Sequence, residues 1–206
     1  MSRVTKMQVF RSIRLLHAAI AIVIAGVLTA CSSSFVVEAN FPRPLVEPLP
    51  VSGELVITEE FSNYVFVEDT ATRDDLEVDI SSAQVELFQT ITDHIFSGSE
   101  TPEDQLIITP ALVDFQYAIP RETRAEVYEI WLKYRVQVMS NDGEAIADWL
   151  ITGYGKTPTA FMKTRQESIE LATTIALRDV GSQLSIGFGR QPDIKAWLDS
   201  RMEEQI

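Results

Sequence analysis

The feature that most constrains the fold is an alternating run at residues 127–139, followed by Asp142-Gly143 and a second alternating run. A period of two predicts a β-strand with one buried face. The run is far longer than the usual five or six residues. Asp-Gly between two such runs is a strong turn signal, so we predict a long β-hairpin. Its apolar positions are Tyr128, Ile130, Leu132, Tyr134, Val136 and Val138.

The register of this hairpin follows from keeping one face apolar. A loop of two or four residues gives the same parity, whereas a loop of three residues would turn Asp148 into the core. We therefore predict an even loop. The expected pairs on the outward face are Glu129–Lys156, Trp131–Tyr154, Arg135–Leu150 and Gln137–Asp148.

Strands and helices are predicted on both sides of the hairpin. Strands are expected at 54–57, at 63–67 and at 105–119, the last interrupted by Pro110. In that last strand Asp114 and Gln116 point away from the face shared by Val113, Phe115, Tyr117 and Ile119. Residues 70–79 form an acidic loop. A helix begins with the capping-box pattern Ser81-Ser82-Ala83-Gln84, another spans 166–186, and a short one follows Pro192.

The helix at 166–186 carries a stripe of small residues, including Ala172 and Ala176. We expect these to lie close over Gly153 and Gly155 of the hairpin. The segment Gly153-Tyr154-Gly155-Lys156-Thr157 ends like a phosphate-binding loop, but Leu150 stands where the first glycine is required. We therefore predict strand glycines here and no nucleotide. The fold class is α+β: a two-layer sandwich with a mostly antiparallel sheet and two helices on one face, plus a short C-terminal helix.

The N-terminal segment has the composition of an export signal. Four basic residues precede an apolar run at 18–29, and the first acidic residue is Glu38. The run is shorter than the roughly twenty apolar residues of a membrane span. Leu28-Thr29-Ala30-Cys31 resembles the lipobox of bacterial lipoproteins, and Cys31 is the chain's one cysteine. The resemblance implies a signal peptide at 1–30 and a covalent lipid on Cys31.

The next segment, 31–53, is predicted to be a proline-rich tether, part of which lies on a single α+β periplasmic domain at 54–206. Four prolines fall within nine residues, at positions 42, 44, 48 and 50. In enterobacterial lipoproteins a residue other than Asp after the cysteine permits sorting to the outer membrane. Ser32 therefore implies the periplasmic face of that membrane.

Charge and residue content exclude several functions. Residues 31–206 keep all thirty acidic side chains but only thirteen basic ones, a net charge of −17, which argues against nucleic acid. The one histidine after the leader, His94, lacks zinc-ligand spacing. We expect a non-enzyme with no metal and no cofactor apart from the lipid. An envelope hydrolase and a passive structural lipoprotein remain the alternatives.

The outward face of the hairpin is the candidate binding surface. It combines the aromatic pair Trp131 and Tyr154 with Leu150 and the basic Lys133 and Arg135. Such a surface suits a partner protein or an anionic amphiphile. The other reading is that the tether or the last helix covers it.

The order of elements resembles two groups of periplasmic lipoproteins. These are the lipopolysaccharide-assembly lipoprotein of the outer-membrane translocon and the auxiliary lipoproteins of ABC-type lipid transporters. The shared features are the lipobox, a helix after the first strands, a long Tyr-rich strand ending at Asn141-Asp142-Gly143, and an Ala-rich final helix. The resemblance implies a non-enzymatic accessory of an envelope transport or assembly complex, whose partner is an envelope protein complex or an amphiphilic lipid.

Overall fold

The computed structural model describes residues 33–70, 73, 75–96 and 105–204. The described residues of 33–67 and 76–204 belong to one compact unit, and residues 68–70, 73 and 75 belong to another. In the second unit, Arg73 forms an ion pair with Glu68, with 3.2 Å between Nη1 and Oε2. The strands are β1 Ser33–Val36, β2 Ser52–Leu55, β3 Val65–Glu68, β4 Leu76–Asp79, β5 Gln105–Ala118, β6 Val127–Ser140 and β7 Ala145–Pro158. The helices are α1 Glu59–Ser62, α2 Ser81–Ile95, α3 Arg165–Gly187 and α4 Pro192–Glu204, with a 3-10 turn at Phe188–Arg190.

The strands form two mixed sheets, and the α+β class is confirmed. The larger sheet has the order β2-β5-β6-β7, in which β2 runs parallel to β5 and the other neighbours are antiparallel. The smaller sheet has the order β1-β4-β3, with β1 parallel to β4. The two long helices α2 and α3 lie on one face of the larger sheet, as the alternation of β6 predicted.

The hairpin has the predicted register. Every pair from Val138–Ala147 to Glu129–Lys156 is the expected one. The prediction of an even loop is wrong. The Ser140 N–H donates to the Glu144 carbonyl at 2.9 Å, so Ser140 and Glu144 form the closing pair and the loop between them has three residues, 141–143. A register shift beside Val138 restores the parity and keeps Asp148 on the outward face. Gly143 in this loop has φ of 90°, a conformation that favours glycine.

Strand β5 departs from its predicted face pattern. The register against β6 shifts between Leu112 and Asp114, which makes Val113 a bulge residue. Its side chain is 53% exposed instead of lying beside Phe115 and Tyr117, which are buried. The buried side chains are at even positions before the bulge, at Leu106 and Ile108, and at odd positions after it. The bulge therefore changes the parity of the strand. Pro110 lies inside the continuous strand rather than interrupting it.

Helix α3 lies directly on the hairpin, as the small-residue stripe predicted. A Cβ atom on Gly155 would lie 1.9 Å from the Ala172 carbonyl oxygen, and one on Gly153 would lie 2.3 Å from that of Ala176. Side chains at either position would displace the helix. The two glycines therefore serve close packing of a helix on a strand, as predicted in place of a phosphate loop. The Thr164 and Glu167 capping box starts α3.

Helix α2 begins differently from the prediction. The capping box at residues 81–84 is wrong, since the N-cap residue is Ile80 and makes no side-chain cap bond. The Asp79 carboxylate instead accepts from the Ser81 N–H at 2.9 Å. Gln84 is fully buried, donates to the Phe61 carbonyl, and accepts from the Tyr134 hydroxyl at 3.0 Å. Burial raises the pKa of Tyr134 well above its ordinary value of 10.0.

The described part of the predicted tether packs as part of the compact unit. Phe35, Val37, Phe41 and Val51 are buried with the core, and 33–36 and 52–55 are strands. Apolar side chains and strand pairing hold this segment, which explains why a freely extended spacer does not form from Ser33 onward. In the smaller sheet, residues 76–79 form β4, in which Leu76 and Val78 are buried. The prediction of a loop at these residues is therefore wrong. The leader and Cys31 lie outside the described residues.

Candidate functional site

The predicted surface residues lie together on the outward face of the larger sheet. Trp131 pairs with Tyr154, Lys133 with Thr152, and Arg135 with Leu150 across β6 and β7. The residues that alternate with them along β6 point to the opposite face of the sheet, where Leu132 and Tyr134 are fully buried. Pairing in the predicted register therefore brings all five residues to one surface, the outer hairpin face, defined by Trp131, Lys133, Arg135, Leu150 and Tyr154.

The described segments that were expected to cover this face pack elsewhere. Residues 41–46 of the proline-rich segment lie against α2 and α3. Helix α4 buries Ile194, Trp197 and Leu198 in the core. Leu150 of the outer hairpin face is 57% exposed, and Met139, further along β6, is 40% exposed. Over the part of the chain that the structure describes, Arg135 and Leu150 are exposed, and Trp131, Lys133 and Tyr154 are half-buried.

The aromatic pair is held by its neighbours. The ring centroids of Trp131 and Tyr154 lie 5.5 Å apart at an interplanar angle of 38°. The Tyr154 hydroxyl donates to Glu129 Oε1 at 2.5 Å. Desolvation, followed by the hydrogen bond and the charge of Glu129, raises the pKa of Tyr154 to about 12. The phenol is therefore a neutral donor at neutral pH, fixed against a carboxylate.

Strand β7 is the edge of its sheet, and α3 protects that edge. The Asp179 carboxylate accepts from the Tyr154 N–H at 2.9 Å. The Gln183 amide donates to the Thr152 carbonyl at 2.9 Å and to Asp179 at 3.2 Å. Side chains of α3 thus form hydrogen bonds with backbone groups of the edge strand that could otherwise pair with another strand. A partner at this surface would contact side chains rather than extend the sheet at Thr152 and Tyr154.

The two basic residues of the face have different surroundings. Arg135 makes a forked contact with Asp148, with 2.7 Å from Nε to Oδ1 and 2.5 Å from Nη2 to Oδ2. This contact holds the pKa of Asp148 below its ordinary value of 3.8. Lys133, in contrast, makes no ion pair or hydrogen bond with a described residue. Lys133 is therefore the cation that the face presents to a partner.

A depression of about 340 Å³ lies beside Lys133. Its walls add two residues of β5, Asp114 and Gln116, to Trp131, Lys133 and Thr152. The Gln116 amide donates to Asp114 Oδ2 at 2.6 Å. The alternation of β5 predicts that these two side chains share its polar face, but it does not predict their position beside Trp131, because the neighbour of a strand is not encoded in its local sequence. The depression joins an indole, an amine, an amide and a carboxylate on one surface.

The described residues hold no cluster of three metal-ligating side chains. His94 lies in the last turn of α2, where its Nδ1 contacts the Thr90 carbonyl at 2.8 Å. This described contact is a backbone carbonyl rather than a serine or a carboxylate. None of the described helices is long and apolar enough to cross a membrane.

Comparison with known proteins yields fold relatives only. No family model matches the sequence. A search of curated proteins also finds no match. A Xanthomonas campestris protein described by the family model DUF330 aligns over 82% of this chain and 99% of its own, with 10% identity and a TM-score of 0.53. A minor lipoprotein from Acinetobacter baumannii aligns over 70% of this chain and 94% of its own, with 9% identity and a TM-score of 0.47. The likeness to the Xanthomonas protein shows that the two chains share a fold.

Proposed function

We propose that this chain is a lipid-anchored, non-enzymatic accessory of an envelope transport or assembly complex, on the periplasmic face of the outer membrane. The observation that carries the proposal is the outer hairpin face. A partly exposed surface that contains a Trp–Tyr pair and an arginine has the composition of a protein-binding hot spot. The N-terminal pattern ending at Cys31 supports the lipid anchor, and Ser32 supports the outer membrane.

The geometry supports a protein partner for this face. Trp131 and Tyr154 are fixed by mutual contact and by Glu129, so little side-chain freedom is lost on binding. Asp148 balances Arg135, whereas Lys133 lies beside the depression without such a partner among described residues. Asp114 faces Lys133 across β5 and β6, so the surface combines an aromatic pair with an amine and a carboxylate, a composition that fits a partner segment with aromatic and polar side chains.

The surface is tested by crosslinking in intact cells from a photoreactive residue at Thr152. Leu150→Glu and Trp131→Glu are each expected to abolish a specific crosslink. Neither variant is expected to restore the phenotype of a strain that lacks the protein. Met202→Glu is the matched control, because Met202 is 51% exposed and belongs to α4 rather than to the strands that form this face. If both face variants kept the crosslink and the rescue at normal abundance, the docking role would be wrong.

The anchor and the absence of catalysis have separate tests. Replacing Cys31 with Ser is expected to block leader removal and lipid attachment; an unchanged, processed product that sediments with membranes would overturn the anchor. The hydrolase alternative predicts that purified protein cleaves peptidoglycan or lipid and loses that activity on His94→Ala. We expect no such activity. A passive structural role predicts no stable partner at Thr152.

A further inference from the structure

A second candidate surface of the molecule shares no residue with the outer hairpin face. A groove of about 370 Å³ lies where residues 41–46 cross the two long helices. Leu87 and Ile91 of α2 and Gly181 and Ile186 of α3 form its walls. Its volume falls in the range of about 300–1,000 Å³ that is usual for small-ligand sites.

Apart from two arginines, the groove is lined by apolar residues and by two serines whose hydroxyls already have hydrogen-bond partners. Its two serines are bonded to their own helix, since the Ser182 hydroxyl donates to the Arg178 carbonyl at 2.9 Å and the Ser185 hydroxyl to the Gly181 carbonyl at 2.7 Å. These hydroxyls therefore make little demand on a ligand. At the mouth, Leu45 is fully exposed and Ile186 is 55% exposed. Apolar side chains left in water around an apolar groove mark a binding site for an apolar group.

The charge at the rim is the opposite of the charge of the chain. Thirty acidic residues outnumber seventeen basic ones, yet the ionisable residues that line the groove are Arg43 and Arg178. The Arg178 guanidinium donates to the Asn40 carbonyl at 3.3 Å, which holds it beside residues 41–46. Arg43 makes no side-chain bond with a described residue. Two guanidinium groups beside an apolar channel complement an anionic head on an apolar tail.

We propose that this groove binds one acyl chain of a free anionic amphiphile, with the chain along Leu87, Ile91 and Ile186 and the head group at Arg43 and Arg178. This goes beyond the proposed function and does not depend on it. Residues 41–46 form one wall, so the proline-rich segment contributes to a ligand site. Prolines suit this task because they hold an extended wall without secondary structure.

The test uses the chain from residue 31 with Cys31→Ser, so that no attached lipid competes. The described core lies within residues 33–204 of this chain, and its urea unfolding midpoint checks that it folds. The probe is a dansyl-labelled fatty acid, followed by fluorescence. We expect saturable binding, displacement by palmitate, and displacement by neutral hexadecanol about tenfold weaker.

Two variants separate the tail from the head group. Ser182→Trp, at an exposed position of α3, is expected to fill the groove and weaken probe binding about tenfold or more. Arg43→Glu is expected to weaken palmitate about tenfold and to leave hexadecanol unchanged. Arg124→Glu is the matched control, with the same change of charge at an exposed residue outside the groove.

Several results would overturn the proposal. They are the absence of saturable binding, equal competition by palmitate and hexadecanol, equal loss in Arg43→Glu and Arg124→Glu, or unchanged binding in folded Ser182→Trp. None of these bears on crosslinking at Thr152, so failure here is distinguishable from failure of the docking role.

Discussion

The contact between α3 and β7 gives the sharpest stability prediction, through Gly155→Ala. The added Cβ would lie 1.9 Å from the Ala172 carbonyl oxygen and 2.6 Å from the Ala176 nitrogen. Ordinary contacts of a Cβ begin near 3.4 Å, so the helix must retreat by about 1.5 Å. Both obstructing atoms belong to the backbone, and no change of rotamer relieves the clash.

The cost of that retreat follows from what α3 buries. Ile169, Leu177 and Val180 of this helix are fully buried against the sheet and α2. Moving them apart opens gaps that cost contact energy as well as strain. Overpacking of a core by one methyl group costs about 1–3 kcal/mol, and a backbone clash belongs at the upper end. We expect Gly155→Ala to lower the free energy of unfolding by about 3 kcal/mol.

Urea denaturation followed by circular dichroism measures this loss. With a slope of about 2 kcal/mol per molar urea, the midpoint is expected to fall by about 1.5 M. Gly187→Ala is the matched control in the same helix, because its Cβ would meet nothing within 4 Å and its φ of −89° is helical. The control is expected to keep the midpoint or raise it slightly. A Gly155→Ala midpoint equal to that of the control would refute the close contact of helix and strand.

Three further predictions concern single side chains. Thr157 is fully buried and its hydroxyl has no partner among described residues, so Thr157→Val is expected to raise the free energy of unfolding by about 1 kcal/mol in urea titration; a loss would contradict this. Asp148→Asn is expected to leave the urea midpoint at pH 7 unchanged, because the pair with Arg135 is exposed on both sides; a clear fall would show that the pair matters. Folding raises the pKa of Tyr154 to about 12 from 10.0, so its contribution to stability is present below pH 10 and lost as the pH rises from 10 to 12. Glu129→Gln is expected to lower that pKa, measured by tyrosinate absorbance against Tyr154→Phe, and an unchanged titration would rule out the role of the carboxylate.

The hairpin could be predicted because its information is local. Alternation fixes which side chains are buried, and the demand that Asp148 face water fixes the register without knowledge of any other strand. The loop escaped prediction for a related reason. A bulge beside Val138 compensates for a loop of three residues, and the two together give the same parity as an even loop. Parity arguments therefore constrain a hairpin beyond its turn but do not count the residues of the turn.

The smaller sheet and the bulge in β5 depend on pairings that are distant in sequence. Strand β1 pairs with β4 some forty residues later, and each strand has only four residues. Such short segments give weak periodic signals, and the acidic Glu77 and Asp79 made β4 read as a loop. Val113 is apolar and in phase with Phe115, so its sequence favours the buried face. Its exposure follows from the match between β5 and β6, which only the assembled sheet determines.

The two candidate sites differ in how much of each is visible in the sequence, and the difference has a physical origin. The outer hairpin face is built from one pair of adjacent strands, so the register alone assembles Trp131 and Tyr154. The groove joins Arg43 to Arg178, 135 positions later, through the packing of an extended segment on two helices. The apolar side chains of that segment indicate contact with the domain but not the location of the contact. Because Phe41 is buried and Leu45 is fully exposed, the segment is anchored at one end and presents apolar surface at the other. A site of this kind follows from tertiary packing, which explains why a proline-rich stretch that reads as a spacer can form the wall of a binding groove.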